Sequence, residues 1–354
     1  MSFKMKKDFL FQKYQKKSKE LVCKECATVL DVGSFDPLDQ IFCPHCKTEM
    51  IVPAHLGNYE LYQFLGEGAM GRVYLAKDPH LKRDVAVKIL REDLNATPKM
   101  WTLLEDEAKA AAGIAHPNVI QIYTMGKILG RPYIVMELAD YSNLDDLIEK
   151  NGVIQEAMAV QIAIDVMRGL RAAYNHEMIH GDVKPANILI TKKGNAKVAD
   201  FGLARFLKQG QEVERWGTPY YIAPEKSERI REDFRSDLYS LGATLFHATI
   251  GRAPFEGKTG EEVITKSLKY NTPKLSILNP EISESFSELV YKMMQKEPDE
   301  RFWSYEQAIS CFEKLQDGTY ELGMCKKLKM GENTSKRNRK NFLSKIASLV
   351  VDPE

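Results

Sequence analysis

The sequence has no apolar run near the roughly 20 residues that a membrane-crossing helix needs, so no spanning segment is expected among its 354 residues. Nor does the N-terminus carry an uninterrupted apolar stretch followed by a small-residue cleavage site, so it does not read as a signal peptide. Charge of one sign is equally lacking: 50 Lys and Arg face 49 Asp and Glu, a net charge of +1. That balance gives no reason to expect a nucleic-acid-binding body. Cysteine is scarce, with 6 in the chain. The expected compartment is the cytoplasm, where thiols stay reduced or hold metal.

What charge there is lies unevenly. Residues 1–20 and 326–345 are rich in Lys and Arg. The basic N-terminal segment (1–20) is followed by a cysteine-bearing module (21–55), a folded body (59–316) and a basic tail (317–354). In the tail, residues 341–351 place apolar side chains at helical spacing, compatible with weak contact to a membrane headgroup layer, an acidic surface or the body itself.

Within the body, strand-like alternation dominates up to Met136, interrupted by one helical stretch at 99–114. Helical periodicity then takes over at 156–175, 235–250, 261–269 and 283–295. Strands followed by helices imply an α+β fold of two lobes, with a cleft between them as the natural ligand site.

Four of the cysteines form two pairs, Cys23-Lys24-Glu25-Cys26 and Cys43-Pro44-His45-Cys46, with sixteen residues between them. Two tight turns that each offer two thiolates suit a tetrahedral Zn2+, and the module resembles a zinc ribbon. The alternative is thiol redox chemistry. It needs a βαβ unit, and none fits before Tyr59. Cys311 and Cys325 have no near partner in sequence and read as ordinary thiols.

Gly66, Gly68 and Gly71, followed by Val73, lie between two strand-like runs. Such a loop brings backbone amides close to phosphate oxygens, yet taken alone it is equally a glycine-rich hairpin. The motifs that follow are Val85-Ala86-Val87-Lys88, then Glu107 ahead of His116-Pro117-Asn118, then Met136-Glu137-Leu138-Ala139. After these come His180-Gly181-Asp182-Val183-Lys184-Pro185-Ala186-Asn187-Ile188-Leu189, Asp200-Phe201-Gly202 and residues 219–225, PYYIAPE. In this order and spacing they resemble the protein kinase superfamily, in particular bacterial kinases of eukaryotic type.

The resemblance implies a β-rich lobe, a helical lobe, and ATP with Mg2+ in the cleft. Asp182 would accept the proton of the acceptor hydroxyl, Lys184 would steady the γ-phosphate, and Asn187 and Asp200 would hold Mg2+. Lys88 would reach the α- and β-phosphates, paired with Glu107. Gly66, Gly68, Gly71, Val73, Ala86, Glu137, Ala139 and Leu189 would complete the nucleotide pocket. Glu225 with Arg301, and Asp237 beneath the catalytic loop, would be architectural. Lys184 and Thr218 favour serine or threonine as acceptor, so the implied substrates are proteins bearing those residues.

Two features depart from the family pattern. Gly181 stands where most members have arginine, and residues 201–216 contain no serine, threonine or tyrosine. Both the usual phosphate acceptor and its receiver are missing, so activity without phosphorylation of this loop is expected. Two other classes remain open, namely a silent kinase-fold scaffold and a nucleic-acid-binding protein directed by the cysteine module. For that module a regulatory protein partner is the expected role.

Overall fold

The computed structural model describes residues 19–68, 71–90, 98–128, 131–139, 142–201, 219–227 and 232–324. The basic N-terminus, Ala69, Met70, Gly202, the hydroxyl-free loop with Gly217 and Thr218, Cys325 and the basic tail lie outside them.

The chain opens with two antiparallel hairpins, β1 (Glu20–Val22) with β2 (Val29–Asp31) and β3 (Gln40–Phe42) with β4 (Glu49–Ile51). Each turns around one cysteine pair. Val32, Ile41 and Val52 make their small shared core.

Next comes a six-stranded sheet of order β5-β6-β7-β8-β10-β9. Its strands are β5 (Ala54–Leu56), β6 (Tyr59–Gly68), β7 (Gly71–Asp78), β8 (Arg83–Leu90), β9 (Ile122–Ile128) and β10 (Arg131–Met136). Ala54–Leu56 pairs with Tyr59–Leu61, so the hairpin module runs straight into this sheet. Ile51 at the end of β4 joins Leu56, Leu61, Tyr74 and Val85 in one core.

Strand alternation explains how the sheet serves the cleft. In β8, Val85, Val87 and Ile89 point to that outer core. Ala86 and Leu90 point to a second core on the other face, with Leu104, Ile134 and Met136. Lys88 shares the parity of Ala86 and Leu90 and therefore faces the cleft. Helix α1 (Pro98–Ala112) covers this face through Leu104 and Trp101.

The second lobe begins with a small sheet of β11 (Ser142–Asn143), β12 (Ile188–Ile190) and β13 (Ala196–Val198). Its helices are α2 (Leu144–Asn151), α3 (Glu156–Asn175), α4 (Pro224–Ser227), α5 (Phe234–Ile250), α6 (Gly260–Lys269), α7 (Leu275–Leu278), α8 (Glu284–Met293) and α9 (Tyr305–Gln316). The largest core gathers around α3 and α5. Among the described residues no helix is long and apolar enough to cross a membrane. Contrary to the expectation of an ordinary thiol, the buried Cys311 of α9 is disulfide-bonded. Sequence spacing could not show which thiol the fold brings to it.

Candidate functional site: the cleft between the lobes

At the glycine loop, Gly66 pairs with Val73 and Gly68 with Gly71 across β6 and β7. A Cβ at Gly66 or Gly68 would meet nothing within 4 Å, so both sit against open space. Gly71 differs. A Cβ there would stand 2.1 Å from the carbonyl oxygen of Ile89. Close approach to β8 requires glycine at that position, independently of any ligand.

Val73, Ala86, Ala139 and Leu189, read separately from sequence as pocket residues, are gathered in one apolar cluster with Leu138 and Met136. Glu137 enters differently. Its carboxylate pairs with Lys197 at 2.7 Å and accepts from the Gln121 amide at 3.2 Å, while its own amide donates to the Gln121 carbonyl at 2.8 Å. Its side chain is thus held by the protein. Behind Met136 a small cavity is lined by Ala111, Ile120, Ile122, Ile134, Asp200 and Phe201.

Lys88 is buried, and its ammonium donates to Asp200 at 2.7 Å. Asp200 has φ +64°, a left-handed conformation uncommon outside glycine. Burial pushes its carboxyl up, but Lys88, His180 and Lys184 together outweigh that and hold it below the ordinary carboxylate range. Glu107 lies half-buried on α1, the helix that packs Leu104 into the same cluster.

The catalytic-loop residues form a tight local set. Asp182 accepts on Oδ2 from Lys184 at 2.9 Å and from Asn187 Nδ2 at 3.2 Å. Asn187 Nδ2 also donates to the Asp182 carbonyl at 2.8 Å. With Nδ2 spent on Asp182, Asn187 Oδ1 is the atom left to meet a hard cation, and Asp182 Oδ1 the atom left to accept a proton. His180 is fully buried. Its Nδ1 accepts from the Asp182 amide at 3.1 Å and its Nε2 donates to the Ala199 carbonyl at 2.8 Å, which fixes the tautomer. Its ring meets Phe201 edge to face at 4.6 Å between centroids.

The architectural residues are where sequence put them. Asp237 accepts from the amides of His180 at 2.9 Å and Gly181 at 2.7 Å. Arg301 grips Glu225 with two bonds of 2.7 Å, wholly inside the protein. Sequence reasoning gave no role to Lys197 or Lys226 and quoted His180 only as part of a motif. Lys197 and Lys226 carry no distinctive signal alone, because their partners, the Glu137 carboxylate and the Gly181 carbonyl, lie far away in sequence.

In the N-terminal hairpins, the Sγ atoms of Cys23, Cys26, Cys43 and Cys46 all lie within 4.8 Å of one another. Cys23–Cys46 and Cys26–Cys43 are each 3.5 Å apart. That is far beyond a disulfide, and close to the ~3.8 Å edge of a tetrahedron with 2.3 Å metal–sulfur bonds. The two turns are built alike. The amides of Cys23 and Cys43 donate to Thr28 and Thr48 carbonyls, and Ala27 and Lys47 have φ +58° and +63°. The Thr28 hydroxyl, 3.2 Å from Cys26 Sγ, and the Thr28 backbone lower that thiol to about 5, and Thr48 acts in the same sense on Cys46. Threonine two positions after each cysteine pair was a legible repeat that sequence reasoning passed over.

Residues 59–311 match the protein kinase domain family. The chain is similar to the serine/threonine-protein kinase PknB of Mycolicibacterium smegmatis, 37% identical over 263 residues that cover 72% of this chain and 42% of that protein. It is also similar to a probable serine/threonine-protein kinase of Clostridium perfringens, 35% identical over 265 residues covering 74% of this chain and 39% of that protein. The chain thus spans about two fifths of the length of these curated relatives. Among solved structures, the PknI kinase domain of Mycobacterium tuberculosis aligns with a TM-score of 0.60 at 25% identity, over 75% of this chain and 97% of that one. With the match covering most of its length and the motif residues meeting in one cleft, this chain belongs to the protein kinase domain family.

Proposed function

We propose that the chain transfers the γ-phosphoryl group of ATP to serine and threonine hydroxyls of proteins. One observation carries the reading: the Asp182 carboxylate is fixed through Oδ2 by Lys184 and Asn187, leaving Oδ1 for an incoming hydroxyl. Phosphoryl transfer asks the protein for positioning and charge neutralisation rather than covalent help. Asp182 orients the hydroxyl and takes its proton, and Lys184 stands beside it as the charge for the transferred phosphate. Lys88, with Glu107 on α1 to orient it, serves the remaining phosphates. The donor set fits Mg2+, since Asn187 Oδ1 and the anionic Asp200 are the hard oxygens it takes. Magnesium supplies neutralisation of the triphosphate. Val73, Ala86, Ala139 and Leu189 give the adenine an apolar slot, and the carbonyl of Glu137 an acceptor.

Relatives named as serine/threonine kinases support that acceptor class, as does Lys184 two residues beyond Asp182. Radiolabelled transfer from ATP by wild type and not by Asp182→Asn tests the activity. No transfer by magnesium-replete wild type to any polypeptide would sink it.

Activity without loop phosphorylation belongs to the same reading, supported by the absence of hydroxyl residues from 201 to 216 and by Gly181. Phosphatase treatment of active enzyme should leave its rate unchanged, with mass spectrometry to check the segment. We place one Zn2+ on Cys23, Cys26, Cys43 and Cys46, whose Sγ spacing suits it. The module then serves as a regulatory or protein-docking element braced on the sheet, where Lys24 stands 4.2 Å over the Tyr62 ring.

A further inference from the structure

The peptide ahead of Asp182 is clamped from two sides. Asp237 takes the amides of His180 and Gly181 at 2.9 and 2.7 Å. On the opposite side, the carbonyl of Gly181 accepts a hydrogen bond from Lys226 Nζ. Lys226 belongs to α4, the short helix at the end of the PYYIAPE stretch. Its side chain is only 7% exposed, and its ammonium pairs with Glu232 at 3.1 Å. A buried ammonium is costly unless its donors are satisfied, and here a carboxylate and a carbonyl do so.

Gly181 itself has φ +69°. A Cβ there would stand 3.4 Å from Lys226 Nζ and 3.7 Å from Glu232 Oε2. The Lys226–Glu232 pair therefore fills the space into which a side chain at 181 would grow. Neither residue touches Asp182 directly. Both act on the backbone that aims it.

We propose that Lys226, oriented by Glu232, is a positioning residue for Asp182. It fixes the Gly181–Asp182 peptide with a cation built into the sequence, so the base is aimed without a phosphate on residues 201–216. The inference rests on the reading of Asp182 as the residue that receives the acceptor proton. It commits Lys226 to the turnover step and not to nucleotide binding.

The test uses the full chain, with Mg–ATP and a mixed serine/threonine peptide library as acceptor. Lys226→Met should lower kcat about tenfold or more, since small misplacements of a catalytic group are costly, with KM for Mg–ATP nearly unchanged. Lys226→Arg should restore most of kcat, and Glu232→Gln should lower it by a smaller factor at an unchanged melting temperature. Wild-type kcat in Lys226→Met overturns the proposal. So does a loss matched by a fall in melting temperature and not restored by Lys226→Arg. If Lys226→Met fails to fold, Glu232→Gln decides, and a normal kcat there overturns the proposal. Wild type without transfer would bring down the kinase reading itself. Active wild type with indifferent variants would bring down this inference alone.

Discussion

Lys88 and Asp200 are 112 residues apart in the chain and 2.7 Å apart in space. Strand parity in β8 sends Lys88 into the cleft, and the left-handed backbone of Asp200 turns its carboxylate to meet it. The charge balance at Asp200 depends on this contact. Burial favours the neutral acid, and the ammonium is the largest influence opposing it. Lys88→Met should therefore move the Asp200 carboxyl upward. In wild type, Mg–ATP binding should persist as pH falls toward the ordinary aspartate value of about 3.9. In Lys88→Met it should fail at a higher pH, and transfer at neutral pH should drop on the order of 10²- to 10³-fold, as for loss of a preorganised electrostatic donor. Calorimetric titration with Mg–ATP across pH checks the first point. An unmoved acid limb would count against it.

Asp182→Asn should separate binding from turnover. The amide keeps the shape of the carboxylate and can still accept from Lys184 on one atom, but it cannot take a proton. Transfer should fall roughly 10²- to 10⁴-fold, the usual worth of a positioned general base. Nucleotide affinity should change little. Single-turnover kinetics beside equilibrium binding reads both.

Periodicity carried much of the fold. The sequence pattern at 156–175 coincides with α3, and those at 235–250, 261–269 and 283–295 fall within one or two residues of α5, α6 and α8. The last three have side-chain caps at Asp233, Thr259 and Ser283, so local chemistry agrees with tertiary packing. The cleft was legible because phosphate chemistry needs fixed residue types at fixed spacings. The Lys226–Gly181 contact was not, since a lysine after an acidic residue ordinarily reads as a solvated charge. Its burial follows from a missing side chain 45 residues earlier. The role of Gly71 was equally hidden, because its demand for glycine comes from the Ile89 carbonyl on the next strand. Strand β5 was too short to register until its pairing with β6 was seen.

The Glu225–Arg301 pair should govern the acid stability of the helical lobe. Burial pushes Glu225 up, but Arg301 and the Ser236 hydroxyl prevail and hold it below its ordinary value. A carboxyl depressed in the folded state stabilises fully above its unfolded value of about 4.3, and that stabilisation is lost as pH falls through the lower folded value. Removing one partner of a buried pair costs about 3–5 kcal/mol. Glu225→Gln should thus lower the melting temperature at neutral pH by roughly 6–20 °C for a domain of this size. It should also flatten the decline below pH 5, since that position no longer titrates. Thermal melts of both proteins from pH 7 to pH 3 provide the comparison.

Metal removal should unfold the N-terminal module while leaving the body folded. The hairpins share a core of three buried aliphatic residues, Val32, Ile41 and Val52. At about 1.5–3 kcal/mol per buried side chain, that core yields less than ~10 kcal/mol. Ordering the backbone from 20 to 52 costs on the order of 1–2 kcal/mol per residue, several times more. Structural zinc contributes roughly 10–16 kcal/mol in small modules of this kind, more than that core supplies. Purified protein should contain one zinc per chain by elemental analysis, and Cys43→Ser should lose it. Either Cys43→Ser or a strong chelator should expose the segment before Ile51 to limited proteolysis. The body should melt only slightly earlier, because it keeps the hydrogen bonds of β6 to β7 and forfeits mainly the Ile51 packing and the Lys24 contact on Tyr62. Resistance of the segment to protease after complete chelation would mean that the thiols pack without a metal.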